Sequence, residues 1–459
     1  MNIYEKKYER THLNKVFHTT LNPEQPGVVR IHMIPPKFSL FRSRPSTVIL
    51  NGKDIIPINA SWAILLSIFI EEVNEYAGRE ITENDLLSIK SKTYNRMRKI
   101  YRDINGNIIS KDLENMINVF VAIARREPTE IDVGQTTIAD FAKFMKAPHR
   151  MDLMISSMKK NKHWNCNQKC LHCYAANQMY AETSELTTEE WKDVIDILKK
   201  NYVAQITFTG GEPTLRKDLV ELVGYAKWFV TRVNTNGVLL TKELCEKLYE
   251  ASLDSIQVTL YSHDEEIHNK LVGAKNFYKT VEGIRNAVEA GLNVSINTPL
   301  CKLNTDYAET LAFAKSLGVT YASCSGLIIT GNAKKEESVA TQLSEKEITE
   351  VLEKAAAFAK ESGMEISFTS PGWIKEEKLR ELNLDIPSCG ACLSNMAICP
   401  DGNVVPCQSW LGENASLGNI RTTKWKTIWN SKRCRDIRRN SCTSCGVCPL
   451  RGGKNDENK

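Results

Sequence analysis

Between Met151 and Phe368 the chain repeats one pattern six times, a short β-branched run followed by an amphipathic stretch. "LMISSM" precedes "TTEEWKDVIDILKK", "VAQITF" precedes "KDLVELVGYAKWF", and "TRVNTNG" precedes "TKELCEKLYEA". "SIQVTL" precedes "FYKTVEGIRNAVEA", "NVSINTPL" precedes "DYAETLAFAKSLG", and "VTYASCSGLII" precedes "SEKEITEVLEKAAAFAKES". Strands that alternate with helices in this way run parallel, because each helix carries the chain back to where the next strand starts. Right-handed crossovers curl such a sheet towards a partial or full barrel, an α/β class. Ligands then belong at the C-terminal ends of the strands.

The flanks of this repeat differ from it. With 459 residues the chain is too long for one ordinary core. After a basic lead-in, "STVILNGKDIIPIN" places two alternating runs around Asn51-Gly52, a hairpin signal. Three helical patterns follow, so residues 1–145 read as a small hairpin-plus-helices domain. The repeat occupies about 150–370. From 371 to 450 the pattern turns irregular, with Gly, Pro, Trp and Cys and one helical stretch near 425–438, and such a segment is expected to fold around metal. Residues 451–459, "RGGKNDENK", read as a disordered tail. The net charge of +5 is spread among alternating acidic and basic residues, which gives no basis for nucleic-acid binding. The start has no apolar core, and the longest apolar run, "WAILLSIFI", is too short to span a bilayer. A cytoplasmic protein without membrane contact is the expectation.

In that compartment structural disulfides are not expected, so the 14 cysteines need another reason. Three lie at Cys166, Cys170 and Cys173 and eight between Cys389 and Cys448, leaving Cys245, Cys301 and Cys324 scattered. The first group follows the first strand of the repeat, on the ligand-binding face. It could hold zinc with His163 or His172 as a fourth ligand, act as a Cys170–Cys173 redox pair, or bind a [4Fe–4S] cluster with one iron open. The second strand ends in "FTGGEPTL". Its glycines would let the backbone approach a bound molecule, and Glu212 could accept from an ammonium group.

Together "CNQKCLHC", "TGGEP", "NTNG", "QVTLYS" and "GLIITGN" closely resemble the radical S-adenosylmethionine (SAM) superfamily over about Met151–Asn332. The resemblance implies a partial (β/α)6 TIM-like barrel. It implies that Cys166, Cys170 and Cys173 hold a [4Fe–4S] cluster whose fourth iron is chelated by SAM. Gly210, Gly211 and Glu212 would bind the SAM amino group, and Asn236 would lie in the same cofactor site. Thr259 would take a ribose- or carboxylate-binding place. His172 would contact adenine, where the family more often has Tyr or Phe. The implied chemistry is one-electron reduction of SAM to methionine and a 5′-deoxyadenosyl radical that abstracts hydrogen from a substrate.

The segment "CLSNMAICPDGNVVPC" and the later "CTSCGVC" could form a four-thiolate zinc site. Behind such a core they resemble a SPASM or twitch extension carrying one or two auxiliary [4Fe–4S] clusters. The ligands implied are Cys389 or Cys392 with Cys407, Cys442, Cys445 and Cys448, while Cys399 and Cys434 are spares. The expected x5-Cys-x3-Cys ending is missing, which leaves the second cluster open. Residues 44–128 resemble the recognition element of enzymes that mature ribosomally made peptides (RiPPs), in which a leader peptide adds to a strand edge. A lid or dimerisation domain is the alternative.

The leading expectation is a peptide-modifying enzyme that forms a crosslink, a thioether or another bond, in a precursor peptide, with flavodoxin or ferredoxin as electron donor. Epimerisation or carbon–carbon crosslinking are sister readings; for an epimerase Cys324 or Cys301 could donate hydrogen, although packing suits both. Action on a small molecule or a folded protein, as in cofactor biosynthesis or sulfatase maturation, is a second class. A non-catalytic iron–sulfur carrier or zinc scaffold is a third, and "TGGEP" speaks against it.

Overall fold

The computed structural model describes residues 3–21, 29–37, 45–52, 54–76, 81–125, 127–129, 131, 134, 136–443 and 448–451. The expected tail at 452–459, Cys445 and the Cys442 side chain lie outside the described residues. The chain forms two compact units, Met1–Met145 and Lys146–Lys459.

The first unit is an antiparallel sheet of β1 (Phe17–Leu21), β2 (Val29–Ile34), β3 (Ser46–Leu50) and β4 (Asp54–Ile58), in that order. The β3–β4 hairpin turns through Asn51 and Gly52, with φ of 48° and 69°, backbone that these two residues tolerate best. The lead-in does more than its basic composition announces. It carries a helix, Ile3–Thr11, and both β1 and β2, whose "VRIHMI" alternates as a strand should. Helices Ala60–Asn74, Glu83–Ile100 and Gly106–Arg125 follow the hairpin. Asn59 caps the first by accepting from the Trp62 N–H, and Thr82 with Asp85 forms a capping box on the second. Ile64, Phe69, Met116 and Phe120 fill a core between these helices and the sheet. Both outer strands are partly engaged inside the unit. The Ile55 carbonyl of β4 accepts from the Thr136 N–H at 3.0 Å, and Pro57 has no N–H to offer. The His18 carbonyl of β1 accepts from Asn74 Nδ2 at 2.8 Å.

The second unit contains β5 (Arg150–Ser156), a small ribbon of β6 (Lys159–Lys160) and β7 (His163–Trp164), then β8 (Gln205–Gly210), β9 (Val230–Thr235), β10 (Ser255–Thr259), β11 (Asn293–Pro299), β12 (Tyr321–Ser325), β13 (Glu365–Phe368), β14 (Asn395–Ile398) and β15 (Val404–Val405). Apart from the ribbon, these strands form one sheet in the order β13-β12-β11-β10-β9-β8-β5-β14-β15. All neighbours are parallel except β14 and β15. The six strand–helix units stand in sequence order, as a partial barrel requires. Two strands extend the expectation: "EISF" supplies a seventh parallel strand, and the Cys-rich segment inserts β14 beside β5.

Burial along the strands shows which way they face. Val233, Ile256 and Val258 are fully buried under the helices, whereas Arg232, Asn234, Gln257 and Thr259 alternate with them and are only half-buried. The half-buried face is concave and polar. Gln257 Nε2 donates to Ser323 Oγ at 3.1 Å, and Ser323 donates on to Asn297 Oδ1 at 2.9 Å. On the outside, the helix Thr188–Lys200 has a Thr187–Glu190 capping box and buries Trp191, Val194, Ile195 and Leu198.

Candidate active site at the strand ends

β5 and β8 end side by side, and the join is tight. Gly210 has φ of 144° and is paired with Ser156; a Cβ there would fall on the Ser156 carbonyl oxygen. A Cβ on Gly211 would stand 2.9 Å from the Ser157 carbonyl oxygen. Both glycines are therefore required by the approach of the neighbouring strand, where the sequence pointed to the approach of a ligand. Ser156 fastens the join: its carbonyl accepts from the Gly211 N–H at 2.9 Å and its hydroxyl from the Glu212 N–H at 3.0 Å.

The Glu212 carboxylate is 1% exposed. Oε1 accepts from the Thr214 N–H and from the hydroxyls of Thr214 and Thr235, and Oε2 from the Asn236 N–H at 2.9 Å. Burial raises its pKa against the pull of these donors. Oε1 is saturated, while Oε2 keeps capacity for one further donor. Asn236 spends its side chain inside the protein: Nδ2 donates to Asn167 Oδ1 at 2.6 Å, and Oδ1 accepts from the Val238 N–H. It thereby ties the cysteine loop to the end of β9. Thr259 ends β10 on the lumen face, half-buried.

The loop is held from the far side of the barrel as well. Asn332 donates its backbone N–H to the Cys173 carbonyl at 2.9 Å and its Nδ2 to the Cys170 carbonyl at 3.1 Å. Gly331, at φ of 58°, lies where a Cβ would strike the carbonyls of Cys173 and Tyr174. Ser338 donates to the Leu171 carbonyl. His172, 7% exposed, bonds Thr341 Oγ1 through Nε2 at 2.8 Å. The Thr341 hydroxyl donates to the Ser338 carbonyl, so His172 is the donor of that bond. Burial lowers its pKa to about 4, and its Nδ1 has no partner. This places His172 in the packing that seats the loop. Asn332 lies in the quoted "GLIITGN" stretch, but nothing in the spacing announced its part, nor those of Ser338 and Thr341, more than 160 residues away from the loop they hold.

Cys166, Cys170 and Cys173 are brought together beneath Glu212, with Cys166 Sγ 3.7 Å from the Gly211 carbonyl oxygen. Burial pushes the Cys166 thiol up to about 12 and raises Cys170 and Cys173, and the neighbouring thiols raise Cys170 further. As free thiols they would be inert. Yet backbone N–H groups of Asn167 and Gln168 point at Cys166, and those of Ala175 and Ala176 at Cys173, donors that favour an anionic sulfur. Hydrogen bonds to sulfur are what an iron–sulfur cluster uses. Among the described residues no three His, Cys, Asp or Glu side chains close on a point that a single metal ion could fill. The donor set of this loop suits a cubane, whose iron and sulfide atoms stand between the thiolates.

A second grouping contains Cys389, Cys407 and Cys448, which lie within electrostatic reach of one another. Cys407 is pushed up to about 12 by burial and faces the N–H groups of Ser409 and Trp410. Cys392 is fully buried and donates to Cys434, whose sulfur also accepts from Arg438 Nη2 at 3.2 Å. The bond from Cys392 and the Arg438 charge lower the Cys434 pKa. Cys434, a spare on sequence spacing, is therefore half of a buried thiol pair beside the second grouping. The helix Lys432–Thr443 carries it there, which no spacing rule would reveal. Cys324 does not face the lumen. It is 1% exposed on the helix side of β12, near Tyr307 of the helix Tyr307–Ser316 and with its Sγ 3.7 Å from the Ser367 carbonyl oxygen, because its parity is opposite to that of Ser323. Its expected part as hydrogen donor is not supported by this placement. Cys301 packs among Tyr261, Leu271 and Leu327 and Cys245 is fully buried, both as small hydrophobes.

Comparison with known proteins agrees with this arrangement. The signature of the Radical SAM superfamily matches residues 165–314, and that of the SPASM iron–sulfur cluster-binding domain matches residues 389–449. An AdoMet-dependent heme synthase of Methanosarcina barkeri is 29% identical over 304 residues, covering 62% of this chain and 85% of the relative. An Fe-coproporphyrin III synthase of the same organism is 39% identical over 148 residues, 31% of this chain and 37% of that protein. Streptococcus suis SuiB bound to its precursor peptide SuiA shares the fold with a TM-score of 0.57 at 16% identity, over 86% of this chain and 87% of SuiB. The structure of anSMEcpe with bound AdoMet matches with a TM-score of 0.51 at 17% identity, over 64% and 83% of the two chains. A radical SAM domain binds a [4Fe–4S] cluster and SAM, and a SPASM domain implies auxiliary iron–sulfur clusters. No helix among the described residues is long and apolar enough to cross a membrane. With a three-thiol loop at the end of the barrel's first strand and a Cys-rich segment hydrogen-bonded to that strand, the chain carries a radical SAM domain followed by a SPASM domain.

Proposed function

We propose that this enzyme modifies a ribosomally made precursor peptide and closes a crosslink in it, a thioether in the first instance. One observation carries the reading: the peptide-bound SuiB fold covers 86% of the chain, more than the Lys146–Lys459 unit alone can account for. The likeness therefore reaches into the first unit, where residues 44–128 would recognise a leader. In the second unit, about 150–370 would form the catalytic core and 371–450 the auxiliary domain.

When bound, cluster and SAM supply a 5′-deoxyadenosyl radical that takes a hydrogen atom from the substrate. Cys166, Cys170 and Cys173 would hold the cluster, and the free capacity of Glu212 Oε2 would take the SAM ammonium beside Gly210 and Gly211. Thr259 would meet the ribose or the carboxylate. Asn236 and His172 would act by holding the loop in place. Cys389, Cys407 and Cys448, joined by Cys392, Cys442 or Cys445, would hold an auxiliary cluster that removes the second electron. A flavodoxin or ferredoxin would deliver the separate electron that reductive cleavage of SAM consumes.

The test is reaction with a short cysteine-containing peptide encoded beside the gene, followed by mass spectrometry. A crosslink formed by two-electron oxidation makes the peptide about two mass units lighter. An unchanged mass with deuterium taken up from solvent would replace this reading with epimerisation. Changing Cys166, Cys170 and Cys173 together to Ala should abolish 5′-deoxyadenosine formation, and SAM cleavage at the wild-type rate would overturn the cluster assignment. A second reading follows from the 29% identity with the heme synthase: action on a tetrapyrrole. Consumption of an iron coproporphyrin, with every candidate peptide unchanged, would establish it instead.

A further inference from the structure

The lumen holds a charge that the cofactor face does not use. Strand register sets Asp152, Thr207, Arg232 and Ser255 side by side on β5, β8, β9 and β10. Ser255 lies four residues, about 13 Å of strand, below Thr259, and Thr207 lies five residues before Glu212. The row faces the concave side. Arg232 is in electrostatic reach of Arg150, Asp152 and Tyr321, and Tyr321 is on β12, three strands away in the sheet. Only across the lumen do such side chains approach.

Asp152 is 1% exposed and already held: Nε and Nη2 of Arg150 lie 2.9 Å and 3.3 Å from its two oxygens. Two arginines thus face one carboxylate, and the row keeps a net positive charge. Arg232 donates from Nε to Ser255 Oγ at 3.2 Å and makes no ion pair among the described residues. Next to it Thr207, 2% exposed, has a hydroxyl without a partner among the described residues. One row higher the Asn234 side-chain oxygen, an acceptor that would not meet an anion, is also buried and without a partner among the described residues. A half-buried cation whose nearest carboxylate is already engaged by another arginine loses solvation for little return, and a buried polar group without a hydrogen bond is costly. Arg232 and Thr207, two donors on adjacent strands that face the lumen, have the chemistry of a site awaiting an anion.

We propose that Arg232 and Thr207 form an anion subsite at the foot of the lumen that takes a carboxylate of the substrate. The two terminal nitrogens of Arg232 clamp its oxygens in parallel, and the Thr207 hydroxyl donates to one of them. The subsite acts as a ruler. A substrate whose reacting carbon lies at the strand ends must carry its carboxylate about 10–13 Å deeper, on an extended linkage. The inference is independent of whether a peptide or a small acid supplies the carboxylate.

The experiment uses the full-length, cluster-reconstituted protein and reads calorimetric binding together with thermal unfolding. The probes are glutarate, uncharged glutaramide, sulfate, and a blocked nonapeptide with one central glutamate beside its glutamine twin. Glutarate should bind saturably and raise the melting temperature, while glutaramide should do neither and sulfate should bind more weakly. Arg232→Gln should abolish glutarate binding, and Arg232→Lys should weaken it about tenfold by replacing a fork with a point charge. Thr207→Val leaves every charge in place and should weaken binding about threefold to tenfold, so it keeps the test decisive if Arg232→Gln does not fold. If the glutamate peptide binds and its glutamine twin does not, a peptide side chain is the source. If only glutarate binds, the source is a small acid. The subsite is overturned if glutarate does not bind, if glutaramide binds equally well, if sulfate matches glutarate, or if neither variant changes the affinity.

Discussion

His149 and His268 show how single residues set the conditions under which the barrel persists. Each is buried and held neutral, with a pKa lowered to about 4 by loss of solvation, against 6.5 in an open chain. His268 accepts from the Tyr261 N–H on Nδ1. Above pH 6.5 both histidines are neutral whether folded or not, and they cost nothing. Between pH 6.5 and 4 the unfolded chain binds protons that the folded one refuses, so stability falls as pH falls. Each group should contribute a slope of about 1.4 kcal/mol per pH unit in that window. Urea unfolding of the full chain from pH 7.5 to 5 should show this loss, and His268→Phe should flatten the slope by about one such contribution. An unaltered slope would mean that His268 is protonated in the native barrel. The same scale shows where sequence reading stopped. The expectation for Glu212 comes from "TGGEP" alone, yet the four donors that hold it come from Thr214, Thr235 and Asn236, partly on another strand. Cys324 lay in a readable strand, but which face of that strand looked inward depended on the sheet.

Among the elements, the β5–β8 join decides whether the cysteine loop is placed at all. Gly210→Ala would press a methyl group onto the Ser156 carbonyl and impose a positive φ that an L side chain rarely adopts. The expected outcome is a loss of several kcal/mol of stability and a drop in iron retained after reconstitution. Gly412→Ala is the control, since its added methyl would stand 3.7 Å from the Gln178 side-chain oxygen, an ordinary contact. If both variants keep wild-type iron and melting temperature, the join is not what seats the loop. Most elements were legible because their periodicity was strong: all six repeat strands, the Asn51-Gly52 turn and the three helices of the first unit. The strands β1 and β2 lie outside the sequence expectation although "VRIHMI" alternates, because each is only five or six residues long and they are joined by a long polar segment instead of a tight turn. The pairing of β14 with β5 had no local signal, since four residues of a Cys-rich segment, "NMAI", acquire their strand only from the neighbour they join.

On the scale of the whole molecule, the peptide reading depends on the first unit offering an edge. β4 presents little, with the Ile55 carbonyl taken and Pro57 without an N–H. If a leader adds as a strand, Thr136 must release Ile55 or β1 must receive it. The leader of the cognate precursor should bind the full chain, and Ile55→Pro, which removes an outward N–H from β4, should weaken it at least threefold if β4 is the edge used. Unchanged leader affinity would move the recognition site away from β4. In the second unit, β14 has a consequence beyond the auxiliary thiols it accompanies. It covers the flank of β5, a strand whose Met151, Leu153, Met154 and Ile155 are all fully buried. Without β14 and β15 that flank becomes a flat, apolar edge, the kind that recruits other chains. A truncation before Asn395 should therefore scatter light and precipitate rather than yield a barrel without its second iron site. Oxidative loss of the auxiliary cluster would work in the same direction. Damage to a redox centre would then surface as aggregation as well as lost chemistry.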